Sequence, residues 1–409
     1  MRWRWLSLAA LVAIAPAVAG CGGVGVSGAS EVTGNQLAVY SSLPLQGPTG
    51  AISQQIVNGE RLALAYAGGQ VGPFKVSFVS LDDSNPASGA IDPGVTASDA
   101  KTAAQDTNTI AYLGEYSSAA TAVSLPLINA AGILQVSPAS PYVGLTSSLD
   151  AGQDEPERFY PSGRRTFGRL QPGDPAQGSA QAQLMKTLGV RKLYVLDDQD
   201  PFQVPLAQIV AADAEREGIT VAAHDGVSTG SGGGFAGEIQ KILESGAQAV
   251  FFAGGGGAGT LALWRQLQRA DPHLLLLGTS AIAIPSFASQ IGPASASTYL
   301  TTPMLATAQY PPAAARVLVD YRRHFGAGAS PYALYGFEAM SVVLDAIRNA
   351  GARGNNRQAV IDAFFAMRDR NSVLGRYSVD AGGETTPARY GVDRVVNGRL
   401  VPWRVLAVP

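Results

Sequence analysis

The sequence predicts an α/β protein of two lobes, and three observations carry that expectation. Apolar runs of strand length alternate with segments of helical period, the pattern of parallel sheets covered by helices. The alternation occurs twice, in two arrays separated by Arg169-Leu170-Gln171-Pro172-Gly173-Asp174. The 409 residues, 46% hydrophobic and 15% charged, suffice for two ordinary domains, each with its own core.

Ahead of the first array, Met1-Arg2-Trp3-Arg4 is a basic start, Leu6 to Ala19 an apolar run, and Val18-Ala19-Gly20-Cys21 a small-residue cleavage motif ending at the single cysteine. This resembles the lipobox of bacterial lipoproteins. A spanning helix needs ~18 or more apolar residues, and this run, interrupted by Pro16, is shorter. The expectation is a leader over residues 1–20 and lipidation of Cys21. Two acyl chains there are enough for stable anchoring of an extracytoplasmic body. Residues 21–36, rich in Gly, Ser and Val, read as a flexible tether, with order beginning at Leu37.

In the first array Val76–Leu81, Ile110–Leu113 and Ile133–Val136 read as strands, and Gly59–Tyr66, Ser98–Gln105 and Ala119–Ala131 as helices. In the second, strands fall at Lys192–Leu196, Ile219–Ala222, Ala249–Ala253 and Leu274–Leu277. Its helices fall at Ala176–Leu188, Val204–Glu217, Phe235–Glu244 and Thr260–Arg269. Beyond Thr298–Thr302 come helical segments at Ala313–Phe325, Tyr332–Ala350 and Arg357–Arg368, then strand at Arg376–Val379 and Ala388–Val408. Ligands of open parallel sheets bind beyond the carboxyl ends of the strands, so two facing sheets make a cleft.

Several functions are excluded at this level. A net charge of −2, with no clustered basic run, argues against nucleic acid. The glycine run Gly254 to Gly257 matches a dinucleotide-loop pattern, but the next strand ends in Leu277-Gly278-Thr279 without a carboxylate for a ribose, and Thr260 stands where a phosphate loop needs lysine. Those glycines read as a tight turn at the cleft edge. His224, His273 and His324 have no metal-ligand spacing. Asp197, Asp198 and Asp200 read as a solvated loop, and no nucleophile elbow occurs. No cofactor, metal or catalytic residue is expected.

One corner stands out. Gly114-Glu115-Tyr116-Ser117-Ser118 ends a strand and opens a helix, so hydroxyls and unpaired backbone N–H groups converge where an anion would fit. The sequence leaves open whether Ser118 binds a ligand or caps its helix.

In collinear order over nearly the whole chain, Leu43-Pro44-Leu45, Gly47-Pro48, Asn58-Gly59, Leu81-Asp82-Asp83, Gly114 to Ser118, Val136-Ser137-Pro138-Ala139, Leu145-Thr146, Phe167 to Arg169, Asp174, Gln177-Gly178, Gly278 and Tyr335 to Met340 resemble the leucine/isoleucine/valine-binding class of periplasmic solute receptors. The resemblance implies two Rossmann-like lobes of the type I periplasmic-binding-protein fold, joined by crossovers near residues 167–171, 298–304 and 374–377. The first lobe would comprise residues 37–168 with 302–374, the second 169–301 with 375–409. It implies a monomer that closes on a small amino-acid-like or carboxylate solute and is read by an ABC permease with its ATPases.

Carried over by position, the ligand residues are Ser118 with Tyr116 and Ser117, the backbone around Ala139 and Ser140, then Phe202 and Ser280. Three positions depart from the amino-acid binders of the class. Pro141 replaces a threonine and has neither hydroxyl nor N–H to offer, Ser280 replaces an acid that pairs the ligand ammonium, and Gly256 replaces a tyrosine. Weak binding of leucine, isoleucine and valine is therefore expected unless Glu115, Asp83 or an acid from Asp197 to Asp200 substitutes. The competing reading is a bilobed lipoprotein that regulates an envelope partner, motivated by long loops at 84–94 and 147–165.

Overall fold

The computed structural model describes residues 30–230, 234–326, 328–386 and 388–408. Cys21 and the leader lie outside the described residues. Among the described residues the chain begins with β1 (Gln36–Ser42), α1 (Gly50–Tyr66), β2 (Gln70–Val71), β3 (Phe74–Leu81), α2 (Pro93–Gln105), β4 (Thr109–Leu113), α3 (Ser118–Ala130), β5 (Leu134–Ser137) and β6 (Phe167–Arg169). These strands form one sheet, ordered β2-β3-β1-β4-β5-β6 and parallel except where β2 meets β3.

The chain then crosses to a second sheet through α4 (Asp174–Thr187), β7 (Lys192–Asp197), α5 (Val204–Arg216), β8 (Thr220–Gly226), α6 (Ala236–Ser245), β9 (Ala249–Ala253), α7 (Ala258–Ala270), β10 (Leu275–Gly278), α8 (Pro285–Ala288) and β11 (Thr298–Thr302). It returns to the first lobe with α9 (Pro312–Phe325), α10 (Pro331–Ala350), α11 (Arg357–Phe365) and a small sheet of β12 (Arg370–Ser372), β13 (Gly375–Val379) and β14 (Thr385–Thr386). Finally β15 (Ala388–Val396) and β16 (Arg399–Val408) complete the second sheet, ordered β16-β15-β11-β10-β9-β7-β8. The two-lobed α/β expectation holds.

The lobes have separate cores. Leu37, Val39, Ile110 and Val136 from the first sheet pack with Met340, Val343 and Ile347 of α10, whereas Leu193, Val195 and Phe251 pack with α4 and α5. Helices α1 and α10 cross backbone to backbone through two glycines. A Cβ on Gly59 would lie 2.1 Å from the Ala333 carbonyl oxygen, and one on Gly336 would lie 2.0 Å from that of Ile56. Any side chain there forces the helices apart.

Four features differ from the sequence reading. The chain docks before Leu37, because Val32 is fully buried and its N–H donates to the Asn355 carbonyl at 2.8 Å. Helix α1 starts at Gly50 rather than Gly59, since Ser53, Gln54 and Gln55 interrupt its apolar period while still being helical. The terminal strand is a hairpin: Asn397 and Gly398 adopt φ of 50° and 71°, the left-handed pair that suits a two-residue turn, so the second sheet is mixed rather than parallel.

The third crossover, expected at 374–377, falls after β14. Val373, Tyr377 and Val379 are buried in the first lobe's core, and Thr385 Oγ1 donates to the Leu170 carbonyl, so residues 375–386 pack with the first lobe. The resemblance implied a return at 374–377, whereas those residues belong to the small sheet that packs with the first lobe.

Candidate ligand-binding cleft

Six of the seven expected ligand residues line one cavity between the lobes, about 240 Å³ in volume: Tyr116, Ser117, Ser118, Ala139, Phe202 and Ser280. On the first lobe the site is built by the turn from β4 into α3. Ser117, in extended backbone, is the N-cap, and its Oγ accepts from Ala120 N at 3.1 Å. Ser118 therefore has another role. Its Oγ accepts from Tyr142 N at 3.1 Å, which leaves its own O–H to donate toward the cleft. Beside it, the first-turn N–H groups of Ser118 and Ala119 sit at the positive end of the α3 dipole.

The backbone at Ala139 works differently from the expectation. Ser137 Oγ takes the N–H groups of both Ala139, at 3.1 Å, and Ser140, at 3.0 Å, while donating to the Glu115 carbonyl at 2.8 Å. Ala139 is left to offer its carbonyl oxygen. Ser140 does not line the cavity. It is fully buried, with its hydroxyl 2.7 Å from Thr121 Oγ1 and donating to Glu115 O, so it braces the turn that carries Ser118.

From the second lobe, the loop after β7 supplies Asp200, Phe202 and Gln203, and the loop after β10 supplies Thr279, Ser280 and Ala281. Asp200 Oδ1 accepts from Phe202 N at 2.8 Å, fixing the ring. That ring meets Tyr142 edge-on across the lobes, with centroids 5.0 Å apart and planes at 80°. The Gln203 side-chain oxygen is buried without a hydrogen-bond partner among the described residues.

The acidic cluster is only in part a solvated loop: Asp197 is buried, Asp198 half-buried and Asp200 exposed, and the three have different tasks. Asp197 Oδ2 lies 2.7 Å from His224 Nε2, Asp198 Oδ2 accepts from Gly255 N at 2.8 Å, and Asp200 reaches the cleft. Residues 254–257 lie outside the cavity lining and none adopts a left-handed φ. What demands glycine is close approach: a Cβ on Gly254 would meet the Phe252 ring at 2.4 Å and the Asp198 carboxylate at 2.8 Å. Glu115 and Asp83 are buried outside the cleft lining.

Residues that the sequence did not assign to the ligand complete the wall. Tyr142 hydrogen-bonds through its hydroxyl to Glu155, and the 147–165 loop that carries Glu155 folds inward, with Phe159 and Tyr160 buried beside Tyr142 and Phe167. Asp174 opens α4 at the cleft edge and its Oδ2 accepts from Val143 N at 3.1 Å. Burial pushes its carboxyl up to about 7 despite the opposing pull of Arg169. Tyr332 faces Tyr116, and both phenols are pushed up chiefly by burial.

Behind the cleft, Arg169 ties the crossovers together. Its guanidinium is fully buried, donates to the Ser140 and Tyr142 carbonyls at 2.9 and 2.7 Å, and pairs with Glu384 from the β13–β14 loop, its Nε standing 2.9 Å from each carboxylate oxygen. Glu384 is held below the usual carboxylate range because the guanidinium outweighs its desolvation.

The comparisons agree with this architecture. A family model described as periplasmic binding protein matches residues 41–398. The Leu/Ile/Val-binding protein homolog 3 of Brucella melitensis is 24% identical over 365 residues, covering 88% of this chain and 91% of its own. Among solved structures, a leucine binding protein from Thermotoga maritima superposes with a TM-score of 0.74 at 21% identity, over 90% of this chain and 98% of its own. A branched-chain amino acid transporter substrate binding protein from Streptococcus pneumoniae, solved with isoleucine, gives 0.71 at 17% identity, over 91% of this chain and all of its own. A solute binding protein from R. palustris, solved with benzoate, gives 0.71 at 16% identity, over 91% and 97%. With its family model matched over most of its length and its two α/β lobes meeting at a cleft, this chain belongs to the periplasmic binding protein family, a family of solute-binding receptors and not of enzymes.

Proposed function

We propose that this chain is a lipid-anchored, monomeric receptor that closes on a small amino-acid-like or carboxylate solute and presents it to an ABC permease. The observation that carries the reading is the pairing, across one cavity, of the α3 N-terminus and the Ser118 hydroxyl with Phe202 and Ser280 of the other lobe. A carboxylate fits the first lobe because two amides, a hydroxyl and the helix dipole favour negative charge at that point. The isoleucine and benzoate bound by two similar structures are both carboxylates, which supports this choice.

An ammonium group on the solute has acceptors in the Ala139 carbonyl and the Asp200 carboxylate. Asp200 thereby stands in for the acid missing at Ser280 and removes the reason for expecting weak amino-acid binding. The inward packing of the 147–165 loop onto Tyr142 supports the same reading over a role in binding an envelope partner.

The body without its leader is to be screened by thermal unfolding against amino acids, carboxylates, amides and sugars. A matching carboxylate raises Tm, since 100 Kd of a ligand that binds only the folded state stabilises it by about 2.7 kcal/mol. Stabilisation by sugars or by no solute at all would count against the proposal. Anchoring is tested separately: Cys21→Ala releases the protein from membranes, and unmodified Cys21 in mature, membrane-free protein would contradict lipidation.

A further inference from the structure

A second cavity, about 410 Å³, lies on the other side of the crossovers from the cleft. The first crossover separates the two. Gln171 lines the cleft while its neighbours Leu170 and Pro172, in the bend that follows β6, line the rear cavity. Pro303 and Leu305 line it from the second crossover, and Gly375 and Arg389 from either side of the third.

The chemistry of this cavity is one-sided. Among the described residues its lining contains two arginines, Arg376 and Arg389, and no carboxylate. Arg389 comes from β15 of the second lobe and reaches back to the first, where it donates to the Gln309 carbonyl at 3.2 Å and the Leu374 carbonyl at 3.4 Å. Neutral carbonyls satisfy part of its hydrogen-bonding capacity and none of its charge. Arg376 pairs with Asp369 at 3.3 Å, an exposed contact of little strength. Apart from Gln309 and Thr385, the remainder of the wall is apolar or aromatic, including Tyr310 and Tyr335.

We infer that this rear cavity is a second ligand site, which takes a small anion with a flat apolar body, its charge on Arg389 and its body against Tyr310, Leu170 and Pro172. Because Arg389 belongs to one lobe and Tyr310 to the other, an occupant bridges the lobes at the point about which they rotate. It binds best at one angle between them. Occupancy therefore biases the closing equilibrium of the cleft, and a solute in the cleft changes the affinity of the rear site by the same factor.

Naphthalene-1-sulfonate is a suitable probe, with the neutral naphthalene-1-sulfonamide as control, titrated calorimetrically into the protein without its leader. The expected result is saturable binding of the sulfonate, at least tenfold weaker binding of the sulfonamide, and at least tenfold loss of sulfonate affinity in Arg389→Gln. Hydrogen exchange on the unaltered protein locates the probe without any substitution. Slowed exchange at residues 303–311 and 374–389 supports the inference, and slowed exchange confined to 116–119 and 200–206 overturns it by assigning the probe to the cleft. Equal affinity for sulfonate and sulfonamide, or no binding at millimolar probe, also overturns it. These outcomes are independent of whether the cleft takes a carboxylate.

Discussion

Arg169→Met lowers the unfolding free energy by about 3 to 5 kcal/mol, the cost of breaking a buried ion pair from one side. The substitution leaves Glu384 without its cation, leaves the Ser140 carbonyl without a donor among the described residues, and leaves the Tyr142 carbonyl with only the Leu145 N–H at 3.3 Å. It also loosens the cleft, because the Tyr142 backbone that Arg169 holds is the one that donates to Ser118. Urea unfolding of the two proteins at neutral pH checks the magnitude. A difference below about 1 kcal/mol, the level of an exposed pair, would mean that the crossovers are held by packing alone.

The pair also sets an acid limit. Glu384 has a lowered folded pKa, so its stabilisation is complete above the ordinary carboxylate range and is lost as pH falls through the folded value. Glu60 and Asp174 behave oppositely. Burial raises them to about 8 and about 7, so their contribution is complete below the unfolded carboxylate values and is lost as pH rises toward those folded values. In Arg169→Met the acid limb of the stability profile flattens, and the alkaline loss carried by Asp174 grows because the pull that opposed its burial is gone.

Ser118→Ala weakens binding of the cleft solute ten- to a hundredfold. A hydrogen bond to a charged group contributes about 1.5 to 3 kcal/mol, and removing the hydroxyl deletes one such bond while leaving the α3 amides in place. The fold survives the change because Ser117, not Ser118, caps the helix. The substitution does remove the acceptor for Tyr142 N, so circular dichroism and Tm on the variant are needed beside the affinity. Unchanged affinity would reduce Ser118 to a support for Tyr142.

Much of the fold was legible because its strands are continuous apolar runs bounded by turns: Ala249–Ala253 has the same limits in sequence and structure, and Lys192–Leu196 differs from β7 by one residue. The Ser118 corner was legible for a related reason, since a strand that runs directly into a helix exposes that helix's amides at the end of the sheet. What escaped depends on contacts between segments far apart in the chain. Tyr142 reaches the cleft only because Glu155 and the 147–165 loop press it there, and Asp200 only because its neighbours Asp197 and Asp198 are tied to β8 and the glycine loop.

The role of Ala139 escaped on a shorter scale. Ser137, two residues earlier, captures the N–H groups that were expected to face the ligand. Ser140 was misplaced because being next to Ala139 in sequence does not carry it to the same surface: its side chain turns inward to Thr121.

The central claim is that the α3 N-terminus and Ser118 hold a carboxylate, and calorimetry on one solute in two forms tests it most directly. The best-binding carboxylate from the screen and its primary amide are titrated into the unaltered protein and into Ser118→Ala. The account predicts that the carboxylate binds the unaltered protein at least tenfold more tightly than the amide, and that this preference shrinks in the variant. An amide that binds the unaltered protein as tightly as the acid would contradict it.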